Sequence, residues 1–243
     1  MGIDRLVNGA SGDSPFAHSR RPSLAGSEAI DLWATILWPE ARWNPLRGYL
    51  PAASVWVPKN MPIDLRPPPP TALIAAIMAP DEMVLGQVRG LLAERIAPIR
   101  ALGPAYPFAF STYYEKEMGP GLLKQLLCFE GLVDPAVLPQ VKGQLMALER
   151  ELGREEGGQV RRRVNLDPGL VTIESLVLAS TKYSGHRVGI GPGLYAEVTL
   201  LFQKGQYRPL EWTYQDFRTE EAQAFLLEIR AWLLPQRLRG GAP

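Results

Sequence analysis

Acidic, basic and aromatic side chains cluster in five short patches along the last two thirds of the chain. They read Tyr113-Tyr114-Glu115-Lys116-Glu117-Met118-Gly119, Arg161-Arg162-Arg163-Val164-Asn165-Leu166-Asp167-Pro168-Gly169, Lys182 with His186-Arg187, Tyr195-Ala196-Glu197-Val198-Thr199 and Trp212-Thr213-Tyr214-Gln215-Asp216. Arg161, Arg163, Lys182 and Arg187 have the chemistry of an anion site, because a guanidinium fork binds two oxygens of a phosphate or carboxylate at once. The competing reading spends those cations, with His186, on a salt-bridge network to Glu115, Glu117, Glu197 and Asp216. Histidine titrates near neutral pH, so His186, Glu197 and Asp167 are the candidates for acid–base catalysis or ligand orientation. A histidine in such company can equally serve only to hydrogen-bond its neighbours. Asn165 joins Asp167 as an orienting group. Tyr114, Tyr195 and Trp212 are expected to line the pocket, with Glu117 and Asp216 on its wall. Trp212, Tyr214 and Phe217 suit stacking on a base or ring, or packing against the last helix.

Several chemistries find no support. The carboxylates Glu115, Glu117, Asp167, Glu197 and Asp216 suit a hard cation such as magnesium, but their spacing matches no cation motif and no metal site is assigned. There is no G-x-x-x-x-G-K-[ST] phosphate loop, no G-x-G-x-x-G, no H-E-x-x-H and no G-x-S-x-G. Cys128 is the single cysteine, which rules out an intrachain disulfide and a thiolate zinc site and fits a reducing, cytoplasmic setting. The net charge is +1, so no global field recommends nucleic acid or an acidic membrane. The greasiest stretches, 30–38 and 72–79, fall well short of the roughly 20 residues needed to cross a bilayer. No cofactor and no oligomeric state can be read from these residues.

The elements that must position the patches follow from periodicity and punctuation. Residues 73–78 form an apolar run suited to a buried strand. Asp81 is an N-cap, and Val84, Leu85, Val88, Leu91, Leu92 and Ile96 recur at helical spacing until Pro98. Residues 99–110 and 122–130 read as strands. Asp134-Pro135 starts a second helix with Leu138, Val141, Leu145, Leu148 and Leu152 on its apolar face. Residues 159–166 read as a fourth strand, in which alternation puts Arg161, Arg163, Asn165 and Asp167 on one face. Asn165 to Gly169 carries Asp-Pro-Gly turn chemistry. Residues 186–190 and 194–203 make a hairpin about Gly191-Pro192-Gly193, with Tyr195, Glu197, Thr199 and Leu201 on one face. A last helix begins near Thr219.

The order β-α-β-β-α-β predicts an α+β fold, a ferredoxin-like core with an antiparallel sheet, extended by a β hairpin and a C-terminal helix. Its helices would cover one sheet face and leave the other as a binding platform. The expected organisation is an irregular, Trp- and Pro-rich extension over 1–70, one α+β domain over 71–238 and a tail over 239–243. Trp33, Trp38, Trp43 and Trp56 argue that the extension packs as an arm or lid; its composition argues for disorder, or for a natural start at Met61.

The patches also carry a likeness. YYEKEMG, RRVNLDPG, LVLASTK, HR, GLYAEVTL and WTYxD, in that order and spacing, resemble a family of uncharacterised bacterial proteins, domain of unknown function 4416, over roughly residues 71–232. The chain has Leu170, Gln215 and Phe217 where the family pattern has Tyr, Pro and Tyr. Some members carry a GTP-binding label, but the chain lacks both a phosphate loop and the N-K-x-D that reads guanine. The resemblance implies one compact domain with a shared polar site and supplies no reaction.

The expectation that results is binding, with or without conversion, of a small anionic or nucleotide-like ligand. The alternatives are a non-catalytic protein-interaction module and, more weakly, RNA binding on the open sheet face. The last lacks the aromatic pattern and positive charge of RNA-binding sheets.

Overall fold

The structure, a computed structural model, describes residues 68–239. The readings for the Trp-rich extension and the start at Met61 lie outside the described residues.

An eight-residue strand, β1 (Ala72–Ala79), forms the spine, and every one of its residues is buried. Helix α1 (Glu82–Arg95) follows; the Asp81 carboxylate accepts from the Val84 N–H at 2.8 Å, and Glu82 and Arg95 sit at the ends the helix dipole favours. Two short strands, β2 (Ile99–Leu102) and β3 (Tyr106–Pro107), both pair with β4 (Leu123–Phe129), and the single turn α2 (Glu115–Met118) lies between. Asp134 and Pro135 start a 3-10 turn that runs into α3 (Leu138–Glu151). A small exposed hairpin, β5 (Arg154–Glu156) and β6 (Gln159–Arg161), precedes β7 (Asn165–Val171). Then come β8 (Ser175–Ser180), β9 (Val188–Gly191), β10 (Leu194–Gln203), β11 (Gln206–Pro209) and the C-terminal helix α4 (Glu220–Arg239).

The fold is α+β. The main sheet runs β11-β10-β8-β7-β1-β4-β2, with β3 on β4 and β9 on β10, and all its pairs are antiparallel. Alternation along β1 sorts the core into two layers. Leu73, Ala75, Ile77 and Ala79 pack on α1 and α3 through Val84, Leu85, Val88, Val141 and Leu145. Ala72, Ile74 and Ala76 face the other way, with Leu126, Cys128, Leu176 and Leu200, and meet Phe225, Leu226 and Ile229 of α4. The face expected to stand open is therefore covered by α4 over this part of the sheet. Burial pushes the Cys128 thiol up to about 12, which keeps it an inert thiol in that layer.

Two local expectations give way. Asp167-Pro168-Gly169 is interior strand, not a turn: Asp167, Pro168 and Gly169 pair with Ala76, Ala75 and Ile74 of β1. The real turn comes later, where the Thr172 hydroxyl accepts from the N–H groups of Glu174 and Ser175 and leads into β8, a strand the sequence reading lacks. On β10 the register shifts between Val198 and Leu200, so Leu200 joins the α4 layer and the expected alternation fails past Thr199.

Candidate functional site

The β7–β8 ladder covers only Gly169–Val171 against Leu176–Leu178. It stops beside Pro168, which has no N–H to donate. Beyond it Asn165 to Asp167 of β7 and Ala179 and Ser180 of β8 part company, and the sheet opens at one end. A cavity of about 490 Å³ occupies the opening. Residues from both sides of the sheet line it: Met146, Glu149 and Arg150 from α3, and Met78, Lys124 and Phe217 from the α4 side.

One wall is a chain of charge-assisted bonds. Glu117, held by α2, takes the Arg162 backbone N–H at 2.9 Å, its Nε at 3.0 Å and its Nη2 at 2.7 Å. Arg162 Nη1 donates to Asn165 at 2.8 Å, Asn165 donates to Asp167 at 2.7 Å, and Lys142 Nζ donates to Asp167 at 2.8 Å and to the Leu166 carbonyl at 2.9 Å. The Arg162 guanidinium holds the Glu117 carboxyl below its ordinary value. Burial works to raise the Asp167 carboxyl, but Lys142 and Asn165 outweigh it and the group lies below the usual range.

The opposite wall centres on Glu197. Its side chain is fully buried, and its Oε2 accepts from Arg187 Nε at 2.6 Å and lies 3.0 Å from His186 Nε2. Arg187 also donates to the Lys182 carbonyl at 2.7 Å and to the Tyr214 hydroxyl at 2.6 Å. His186 stacks on Trp212 with ring centroids 4.7 Å apart, and its Nδ1 lies 3.0 Å from the Ser184 hydroxyl. A buried Lys124–Asp216 pair completes the polar lining. Tyr113, Tyr114 and Phe108 form an edge-on aromatic cluster at the mouth, with Lys182 Nζ 3.9 Å over the Tyr113 ring.

The structure thus brings Asp167, Glu197, Asn165, Lys182, Tyr114, Glu117 and Asp216 to one cavity. His186 and Arg187 stand behind Glu197 and are not in the lining, nor is Trp212. Tyr195 turns to Tyr183 instead, with centroids 5.8 Å apart. Arg161 pairs with Glu156 at 3.0 Å on the exposed hairpin. Arg163 also lies outside the lining, and its buried Nε has no partner among the described residues. Arg162, expected on the opposite face, is the arginine of the Arg161–Arg163 run that reaches the cavity. Lys124, Lys142, Glu149 and Arg150 were not singled out by the sequence reading. No group of three or more His, Cys, Asp or Glu is placed to hold a metal ion among the described residues.

Glu149 gives a pH test of the site. Its Oε1 accepts the Leu166 N–H at 2.6 Å, and burial raises its carboxyl above the ordinary 4.5 despite the pull of Lys142. A raised folded value favours the fold below pH 4.5 and loses that advantage as pH rises through the folded value. Glu149→Gln keeps the acceptor and cannot ionise. Its urea midpoint is expected to climb relative to wild type as pH rises above 4.5, and to hold a constant offset below it. An offset that does not vary with pH would contradict the assignment.

These features define an α+β protein with a charged cavity at the open end of its sheet. The model for the family described as Domain of unknown function (DUF4416) matches residues 69–232, more than half of the chain, and the chain belongs to that family. No curated protein and no solved structure matches it. No helix among the described residues is long and apolar enough to cross a membrane.

Proposed function

We propose that the cavity binds a small anionic or nucleotide-like ligand, on a ferredoxin-like scaffold and in a reducing, cytoplasmic setting. The scaffold reading is supported by the antiparallel order β7-β1-β4-β2, with α1 and α3 on one face. The single buried Cys128 supports the setting.

One observation carries the ligand reading. Of the basic side chains on the cavity wall, Lys124, Lys142 and Arg162 are spent on Asp216, Asp167 and Glu117. Lys182 and Arg150 line the same cavity and have no ion pair among the described residues. Glu149 on the same wall also lacks an ion pair among the described residues, so the balance of uncommitted charge is two cations against one carboxyl, beside aromatic rings that suit a base or sugar. Asp167 and Glu197 are the groups through which a bound ligand would be oriented or turned over, with His186 acting through Glu197.

Differential scanning fluorimetry of the full chain with nucleotides, sugar phosphates and carboxylates tests this. A ligand present at a hundred times its dissociation constant adds about 2.7 kcal/mol of stability. The expected result is a hit among the phosphorylated compounds whose shift is lost in Lys182→Ala. A flat response from folded protein would overturn the reading and leave the protein-interaction module, which exposed Tyr183 and Val188, in the β8–β9 connection and at the start of β9, favour. RNA binding is disfavoured, since α4 occupies much of the sheet face it would use.

A further inference from the structure

Glu197 is only half satisfied. Oε2 serves both Arg187 and His186, while Oε1 is buried with no hydrogen-bond partner among the described residues. A carboxylate oxygen shielded from water needs a donor, and leaving it without one is costly. Opposite Glu197 in the β8–β10 ladder is Leu178, and both side chains border the cavity. Glu197 lines the cavity, and a donor reaches Oε1 from there as the wall gives, because the oxygen itself is shielded from water.

The chemistry of that donor is constrained. Arg187 already balances the Glu197 charge at 2.6 Å, so a second cation is not required. A metal ion is poorly served, because no cluster of three or more suitable ligands exists among the described residues. A neutral O–H fits: it donates to the carboxylate without adding charge. The rest of the cavity asks for an anion at Lys182, and for a ring whose C–H groups can lie on Tyr113 and Tyr114.

We propose that the site takes a phosphorylated sugar, with a sugar hydroxyl donating to Glu197 Oε1 and the phosphate held by Lys182. This rests on the anion-site reading above and adds to it a hydroxyl requirement. A free sugar phosphate and the ribosyl phosphate of a nucleotide share this chemistry.

Calorimetric titration of the full chain with inorganic phosphate, ethyl phosphate, ribose 5-phosphate and adenosine 5′-monophosphate tests it. Ethyl phosphate offers the same anion with no hydroxyl. The expected result is that a ribosyl compound binds at least about tenfold more tightly than ethyl phosphate, as one charge-assisted hydrogen bond allows. Which of the two binds better tells the free sugar from the nucleotide. In Glu197→Gln the amide oxygen must face Arg187 and His186, which turns the NH₂ toward the cavity and replaces an acceptor with a donor. The ribosyl advantage should then vanish, so that the ribosyl compounds and ethyl phosphate bind the variant alike.

Equal binding of ethyl phosphate and the ribosyl compounds would overturn the hydroxyl inference and leave the anion site standing. No binding of any phosphate would overturn both. Should Glu197→Gln fail to fold, the wild-type comparison decides alone, and Lys182→Ala separates the two ideas by weakening all the phosphates together without removing the ribosyl preference.

Discussion

Replacing Lys124 with alanine is expected to cost the fold about 3–5 kcal/mol, because Asp216 would stay buried with its counter-charge gone. The two residues are 92 positions apart, on β4 and on the 3-10 turn before α4, so their pair ties the sheet to the last helix. Lys124 also lies 4.7 Å over the Phe217 ring, a contact the truncation removes as well. Urea denaturation of the single variant measures the loss. The double variant Lys124→Met, Asp216→Leu should recover most of it, since an apolar pair leaves no buried charge. Equal instability of single and double variants would mean the cost lies in packing rather than in the orphaned carboxylate.

Gly169→Ala carries the second large effect. A Cβ built on Gly169 would stand 2.7 Å from Leu178 Cδ2, 3.0 Å from the Val177 carbonyl oxygen and 3.3 Å from Ile74 Cγ1. Side chains can shift, but the carbonyl belongs to the ladder. Overpacking of this kind costs about 1–3 kcal/mol. Gly169 is also the last paired residue before β7 and β8 diverge, so the cavity should widen as Leu178 moves. The expected outcome is a lower melting temperature with faster amide exchange along Leu176–Leu178. Unchanged exchange in those amides would show that the strands absorb the methyl group without parting.

How far these features could be read in the sequence depended on range. Helices α1 and α3 were legible because their signals are local: Asp81 and Asp134 cap, and the apolar residues recur every three or four positions. The burial of β1 was legible from its unbroken apolar run. Asp167-Pro168-Gly169 misled because turn propensity is also local, whereas Gly169 is there for a close approach by β8, which lies after it in sequence. Taking 159–166 as one strand put Arg161 and Arg163 on the site face. The chain instead leaves β6 at Arg161 and re-enters a strand at Asn165, so parity breaks across Arg162 to Val164 and Arg162 turns inward.

Lys142 and Glu149 hid among the apolar positions of α3. The available signal was their spacing: Leu138, Lys142, Leu145 and Glu149 repeat at helical intervals on the buried side, and two charges there need partners. Lys124 offered the same clue, two residues before Leu126 and four before Cys128 on a single strand face.

Cys128 gives the chain a built-in clock. It is the only thiol in the sequence, is fully buried, and lies in the layer that Phe225, Leu226 and Ile229 of α4 close over. A thiol reagent can reach it only when that layer opens, so the labelling half-time counts departures of the C-terminal helix from the sheet rather than the reactivity of sulfur. The closure of that helix over the sheet thus has its own timer, readable without adding a label.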